Sequence, residues 1–287
     1  MTSFLGITWC DLEWSDFLPF SDQNSLRRLP SLPGVYRVRI KERNQLAYIG
    51  QTGRNLRQRL QDLRRNTLAS EMPFNDPHTA ACRLWSYRDA ERYEFECSAA
   101  AIDLSTTVRL SLECFLIWQY RIEAKQSTLC NFGRLHPQYS PSRNRSTGTR
   151  GQRLPDGQHR NEFCAPSVSA LPLHGIPTDQ DWMTLGWTPL RSLSSGTLTD
   201  VPASPGVYKL IDDAGRLLYV GESANLFQRL MCHRKRSWGQ CNVLFSFCSL
   251  PQMTIACQRL EIENDLLAGY YKTSKSAPAF QFGIELP

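Results

Sequence analysis

Apolar positions along this chain fall into two series of the same shape. Pro33-Gly34-Val35-Tyr36 runs into the polar turn Lys41-Glu42-Arg43-Asn44-Gln45, and Ala47-Tyr48-Ile49-Gly50 follows. Further on, Pro205-Gly206-Val207-Tyr208 leads to Asp212-Asp213-Ala214-Gly215 and then to Leu218-Tyr219-Val220-Gly221. Apolar runs either side of a short polar turn predict a β-hairpin in each half. A helix is predicted next: Asn55 to Leu63 in the first series, Asn225 to Leu230 in the second. Each opens on an Asn able to cap it. Leu56, Leu60 and Leu63 share a face, and Arg59 and Arg229 lie beside that stripe in matching positions.

The alternation around Tyr93-Glu94-Phe95-Glu96-Cys97, and Val243-Leu244-Phe245-Ser246-Phe247 in the second half, predict a third strand. A second helix follows. Arg109-Leu110-Ser111-Leu112-Glu113 aligns without gaps with Arg259-Leu260-Glu261-Ile262-Glu263, and the register continues to Asn131-Phe132-Gly133 and Gln281-Phe282-Gly283. Trp14 and Trp187, each about twenty residues before its Gly-Val-Tyr, are expected to pack the outside of each sheet. An internal repeat at this scale is the main organisational signal.

The expected domains are 1–133 and 185–287, joined by an Arg-rich linker at 134–184. The first carries an inserted loop at roughly 66–95, irregular around Glu71-Met72-Pro73-Phe74-Asn75-Asp76-Pro77-His78. Residues 134–160 hold six arginines (Arg134, Arg143, Arg145, Arg150, Arg153 and Arg160) and one acid, Asp156. A connector of that length is functional or disordered. It reads either as a solvated tether or as a basic arm for a phosphate backbone.

Composition narrows the class. The 287 residues are 41% hydrophobic and carry a net charge of +6, which favours an anionic partner. No apolar run is long enough to span a bilayer. The start, Met1-Thr2-Ser3-Phe4, lacks the basic and apolar regions of a secretory signal. None of the ten cysteines forms a C-x-x-C pair. Reduced thiols, a cytoplasmic location and no membrane partner are therefore expected.

Each half thus offers Tyr, Tyr, Arg, Glu and an amide in one order. This ordered set resembles the GIY-YIG nuclease family. Gly34-Val35-Tyr36, Tyr48-Ile49-Gly50, Arg59, Glu113 and Asn131 carry the resemblance in the first half. Gly206-Val207-Tyr208, Tyr219-Val220-Gly221, Arg229, His233 and Glu263 carry it in the second. It covers about 30–133 and 202–283. The fold it implies is α/β of the α+β kind: two tandem small domains, each a three-stranded, mostly antiparallel sheet flanked by helices. The activity it implies is metal-assisted phosphodiester hydrolysis. Tyr36 and Tyr208 would be general-base candidates, and Tyr48 and Tyr219 would position water or phosphate. Arg59 and Arg229 would bind the scissile phosphate. Glu113 and Glu263 would hold Mg²⁺ or Mn²⁺, and Asn131 would brace the site.

These residue types suit that chemistry. A guanidinium is always charged and forks across two phosphate oxygens. A carboxylate is a hard ligand for an ion that keeps waters and shares substrate phosphates. A phenol titrates near 10 and needs help to act as a base.

Further cations expected on nucleic acid are Arg57, Arg64, Arg65, Arg134, Arg143, Arg145, Arg150, Arg234, Lys235 and Arg236. Two departures stand out. The first half has Leu63 where the second has His233, with His78 of the inserted loop as a spatial substitute. The second half has Gln281 where the first has Asn131, and a longer amide is expected to brace differently. The expected protein is a monomer with a pseudo-dimeric pair of halves, cutting double-stranded DNA. The alternatives are one catalytic and one nucleic-acid-gripping half, a single-strand or RNA nuclease, and a non-catalytic nucleic-acid-binding protein.

Overall fold

The computed structural model describes residues 3–158, 162–194, 198–239 and 241–283; Met1, Thr2 and Arg160 lie outside them. The chain divides into two compact units. Residues 1–109 and 119–167 form the first, and 110–118 with 168–287 form the second.

The first unit begins with β1 (Leu18–Pro19), β2 (Gly34–Ile40) and β3 (Leu46–Thr52). Helices α1 (Leu56–Thr67) and α2 (Thr79–Glu91) follow, then β4 (Phe95–Ala101). The sheet is antiparallel in the order β1-β4-β2-β3. The hairpin β2–β3 pairs Tyr36 with Gly50 and Val38 with Tyr48, with a bulge after Val38. Strand pleating sends Tyr36, Val38 and Ile40 into the core and Arg37 to the opposite face. Leu56, Leu60 and Leu63 of α1 close that core. Helix α3 (Thr106–Ala124) starts in this unit.

The second unit repeats the plan. It has β5 (Arg191–Ser192), β6 (Gly206–Asp212), β7 (Leu217–Ser223), α4 (Leu226–Arg234), β8 (Val243–Ser249) and α5 (Ala256–Ser274). Strand order is β5-β8-β6-β7, and the bulge recurs after Leu210. Tyr208, Leu210, Leu226, Leu230 and Phe245 share its core. The two helices after the hairpins are capped alike: Asn55 and Asn225 accept from the backbone N–H of Gln58 and Gln228, both at 3.0 Å. No helix among the described residues is long and apolar enough to cross a membrane.

Three expectations change. Each sheet has four strands, because a two-residue strand joins the β4 or β8 edge; two residues carry no readable alternation. The inserted stretch 66–95 includes the 13-residue α2 as well as a loop. Ala80, Ala81 and Leu84 face the main core while Cys82 and Trp85 face a second cluster with Met72, Leu135 and Tyr139. A helix buried on two sides loses the one-sided period that reveals it. Finally, the expected linker is no free tether: 134–167 groups with the first unit and 168–184 with the second.

The tryptophans cover the face of each sheet away from the tyrosines. Trp14 donates from Nε1 to the Trp9 carbonyl at 2.9 Å, and Trp187 to that of Trp182 at 2.9 Å. Between the indoles and the strand lies a buried cation. The Arg37 guanidinium sits 4.2 Å from the Trp14 ring centroid and the Lys209 ammonium 4.4 Å from that of Trp187.

Candidate active sites

In the second unit the site forms where β6, β7, α4 and α5 present their repeated residues. Arg229 Nε donates to Tyr208 Oη at 3.0 Å. Tyr208 Oη lies 2.7 Å from His233 Nε2. Burial first, then the charges of Arg229 and Arg236, pull His233 down to about 4. The imidazole is therefore neutral at pH 7, and Tyr208 donates to its Nε2. Burial and Tyr219 raise the Tyr208 phenol well above its usual range, so it keeps its proton. Tyr219 stacks on Tyr208 with ring centroids 6.1 Å apart, and both rings lie near His233.

Glu263 completes this cluster from α5. Burial pushes its carboxyl up to about 8; Glu222 adds to the rise and Arg229 opposes it. Glu222, directly after Gly221, is clamped by Arg259 at 2.6 Å.

The first unit repeats the core of this arrangement. Arg59 Nε donates to Tyr36 Oη at 3.2 Å, and the Tyr36 and Tyr48 rings lie 6.1 Å apart. Arg59 also reaches the Pro77 carbonyl at 3.4 Å. A cavity of about 720 Å³ opens here, lined among others by Arg54, Arg59, Asp62, Pro77, His78 and Arg109. His78 is buried. Burial, then Arg59, pull it down to about 4, against the opposing pull of Asp62. The inserted loop thus brings an imidazole to the Arg59 pocket, while Leu63 at the His233 position is wholly buried in the core. Glu113 sits half-buried in the middle of α3, within residues 110–118, which group with the second unit.

No family model matches the chain, and no curated protein does.

The glycines of the two Tyr-Ile/Val-Gly runs have a steric reason. A Cβ on Gly50 would lie 2.6 Å from Tyr36 Oη, and one on Gly221 would overlap the Tyr208 hydroxyl. Only glycine leaves room for the phenol beneath it. The amides brace the neighbouring strand. Asn131 accepts from Ile49 N at 3.0 Å and donates to Ile49 O at 2.9 Å, with Thr128 Oγ1 donating to it. Gln281 accepts from Val220 N at 3.0 Å. The longer amide reaches the equivalent backbone N–H, with one bond where Asn131 makes two. Asn131 acts on the strand that carries Tyr48.

The surrounding cations divide by what they touch. Arg57 and Arg64 donate to the Leu29 and Phe20 carbonyls, and Arg134 is buried against the Ala165 carbonyl. These three tie chain segments together through those bonds. Arg236 is half-buried, 4.8 Å from the Trp238 ring centroid. Arg65 is exposed beside Asp62, Arg234 and Lys235 are exposed at the end of α4, and Arg143, Arg145 and Arg150 are exposed.

Sequence reasoning missed Arg109 and Arg259. Arg109 donates to Gln51 Oε1 at 2.8 Å, as Arg259 does to Glu222, and each reaches a loop carbonyl. The ungapped register already placed the two arginines together; nothing in it announced the partner.

Proposed function

We propose that the protein is a divalent-metal-dependent endonuclease that hydrolyses phosphodiester bonds of DNA, with a GIY-YIG-type site in each half. The observation that carries this reading is the guanidinium–phenol pair, Arg59 on Tyr36 and Arg229 on Tyr208, formed alike in both halves.

Glu263 would hold the magnesium or manganese ion, with Glu113 its counterpart in the first half. The fit rests on Glu263: burial and Glu222 oppose its charge, and a cation relieves both. Among the described residues no three His, Cys, Asp or Glu side chains group around a metal position. Magnesium commonly takes one or two carboxylates and completes its shell with waters and substrate phosphate, which this donor set allows. Such an ion supplies charge neutralisation at the phosphate and a more acidic water.

The protein's own groups do the rest. Arg229 binds the non-bridging phosphate oxygens, where charge builds during attack. A water beside the phenol attacks phosphorus as it passes its proton to Tyr208 Oη and the phenol's proton moves to His233 Nε2; the P–O bond to the leaving oxygen breaks, and that oxygen takes a proton from solvent. The bound phosphodiester anion offsets the Arg229 charge that depresses His233, and so strengthens the imidazole as proton acceptor. Tyr219 holds the Tyr208 ring in place.

A second reading has one cutting half and one gripping half. Leu63 at the His233 position and Gln51 at the Glu222 position favour the second half as the cutting one.

Cleavage of supercoiled plasmid with and without Mg²⁺ tests both readings, using wild type, Glu113→Ala, Glu263→Ala and the double variant. Linear product from wild type and nicked circles from each single variant support two working sites. Loss of activity in Glu263→Ala alone supports the second reading. Unchanged cleavage by all variants, or none by wild type on plasmid, single strands or RNA, overturns the nuclease reading.

A further inference from the structure

The arginine-rich stretch after the first repeat folds into a finger. Backbone bonds run from Leu154 N to Gln138 O at 2.7 Å, Ser140 N to Gln152 O at 2.9 Å and Arg143 N to Thr149 O at 3.1 Å. The tip turns through Arg145–Thr147 and closes at Gly148 in the left-handed region. The two arms approach closely at Gly151, where a Cβ would overlap the Ser140 carbonyl.

The root of the finger is fixed. Tyr139 is buried, packs edge-on against Trp85 and donates to Asp89 at 2.5 Å. The tip is fixed as well, to the loop that walls the Arg59 cavity. Asn75 N donates to Arg143 O at 3.0 Å, Arg145 N to Asp76 Oδ1 at 2.5 Å, and Arg150 Nη1 to Met72 O at 2.8 Å. Asp76 precedes Pro77 and His78, both of which line that cavity.

Residues 138–154 contain Arg143, Arg145, Arg150 and Arg153 and no acid. All four arginines are exposed. Arg150 also meets Glu71 at 3.5 Å and Arg153 reaches Gln138 at 3.4 Å, so part of their capacity is used. Arg143 meets the anchoring loop through its backbone carbonyl, and Arg145 through its backbone N–H and a guanidinium 5.7 Å from the Phe74 ring centroid. Charge fixed on a rigid support at the rim of a phosphate-binding cavity costs little to order when a polyanion arrives.

We infer that this finger grips duplex DNA, laying Arg143 and Arg145 on backbone phosphates beside the one held by Arg59. The inference rests on the nuclease reading for its substrate. A two-stranded ribbon enters the major groove of B-form DNA, whereas the A-form RNA groove is too deep and narrow for it. Each arginine that neutralises a phosphate contributes about 0.9 to the slope of log affinity against log salt.

The test is binding of wild type, Arg143→Gln, Arg145→Gln and the double variant to a short DNA duplex across a salt series. EDTA prevents cleavage, and thermal melts show that each variant is folded. The expected slope falls by about 0.9 in each single variant and about 1.8 in the double, and Arg→Lys at both positions restores it. A wild-type slope in the folded double variant overturns the inference while leaving the nuclease reading intact, as does equal loss on single strands. If wild type binds no DNA at all, both readings fall.

Discussion

Tyr208 is held by Gly221 and Arg229, and each gives a separate expectation. Its hydroxyl lies under Gly221, where an added methyl would overlap it. Gly221→Ala must push a wholly buried ring aside, and overpacking of this kind costs about 1–3 kcal/mol. Urea unfolding measures that loss, and Gly186→Ala, with open space around the added methyl, serves as the steric control. If Arg229 binds the scissile phosphate, Arg229→Ala should lower kcat about 10²- to 10³-fold, with Arg229→Lys recovering only part because the ammonium cannot fork. The tyrosine, arginine and glutamate positions were legible in the sequence because they recur in register. The glycine's steric role and the Arg109 and Arg259 clamps were not. Both depend on which atoms meet across strands and helices, which spacing along one chain does not state.

At the scale of elements, the amide after the long helix does the work of an extra sheet neighbour. Asn131 satisfies both backbone groups of Ile49, whereas Gln281 satisfies the Val220 N–H. Asn131→Ala leaves two backbone groups and Thr128 without their buried partner, and Gln281→Ala leaves one. The expected cost is about 1–3 kcal/mol per orphaned buried group. Denaturant midpoints should therefore fall further for Asn131→Ala than for Gln281→Ala. The hairpins and the helices capped by Asn55 and Asn225 could be read directly, since turn, cap and apolar stripe are local signals. Helix α2 could not, because its buried positions point into two different clusters. The finger was hidden for a related reason: its Ser, Pro, Gly and Arg content matches that of a tether, and its order comes from Tyr139, Met72 and Asp76 far away in sequence.

Two ionisable groups, buried Lys209 and half-buried Glu263, shape how the protein responds to pH. Lys209 is buried between strand and indoles, its ammonium donating to the Asp179 carbonyl at 2.8 Å. Burial pulls it down to about 7, against the charges of Asp179 and Asp181. From pH 7 to the ordinary lysine value near 10.5 the unfolded chain binds the extra proton, so stability rises with pH across that window. A shift of this size corresponds to roughly 3–5 kcal/mol. Glu263 acts with the opposite sign. Its folded form keeps a proton up to about pH 8 that the unfolded chain has lost near 4.5, so stability falls as pH rises between those values. The metal-free protein should therefore show a dip in stability near pH 7–8. Lys209→Met should flatten the alkaline limb, and Glu263→Gln the acid limb. Arg37, its counterpart in the first unit, gives no such limb, since its guanidinium, drawn down to about 9 by burial, stays charged at neutral pH. If Glu263 holds the ion, Mg²⁺ binds only its ionised form. Added Mg²⁺ should then raise the melting temperature of wild type more at pH 8.5 than at pH 6, and leave Glu263→Gln unmoved. Calorimetry of the three proteins with and without Mg²⁺ separates the terms. An equal Mg²⁺ effect in wild type and Glu263→Gln would place the ion elsewhere.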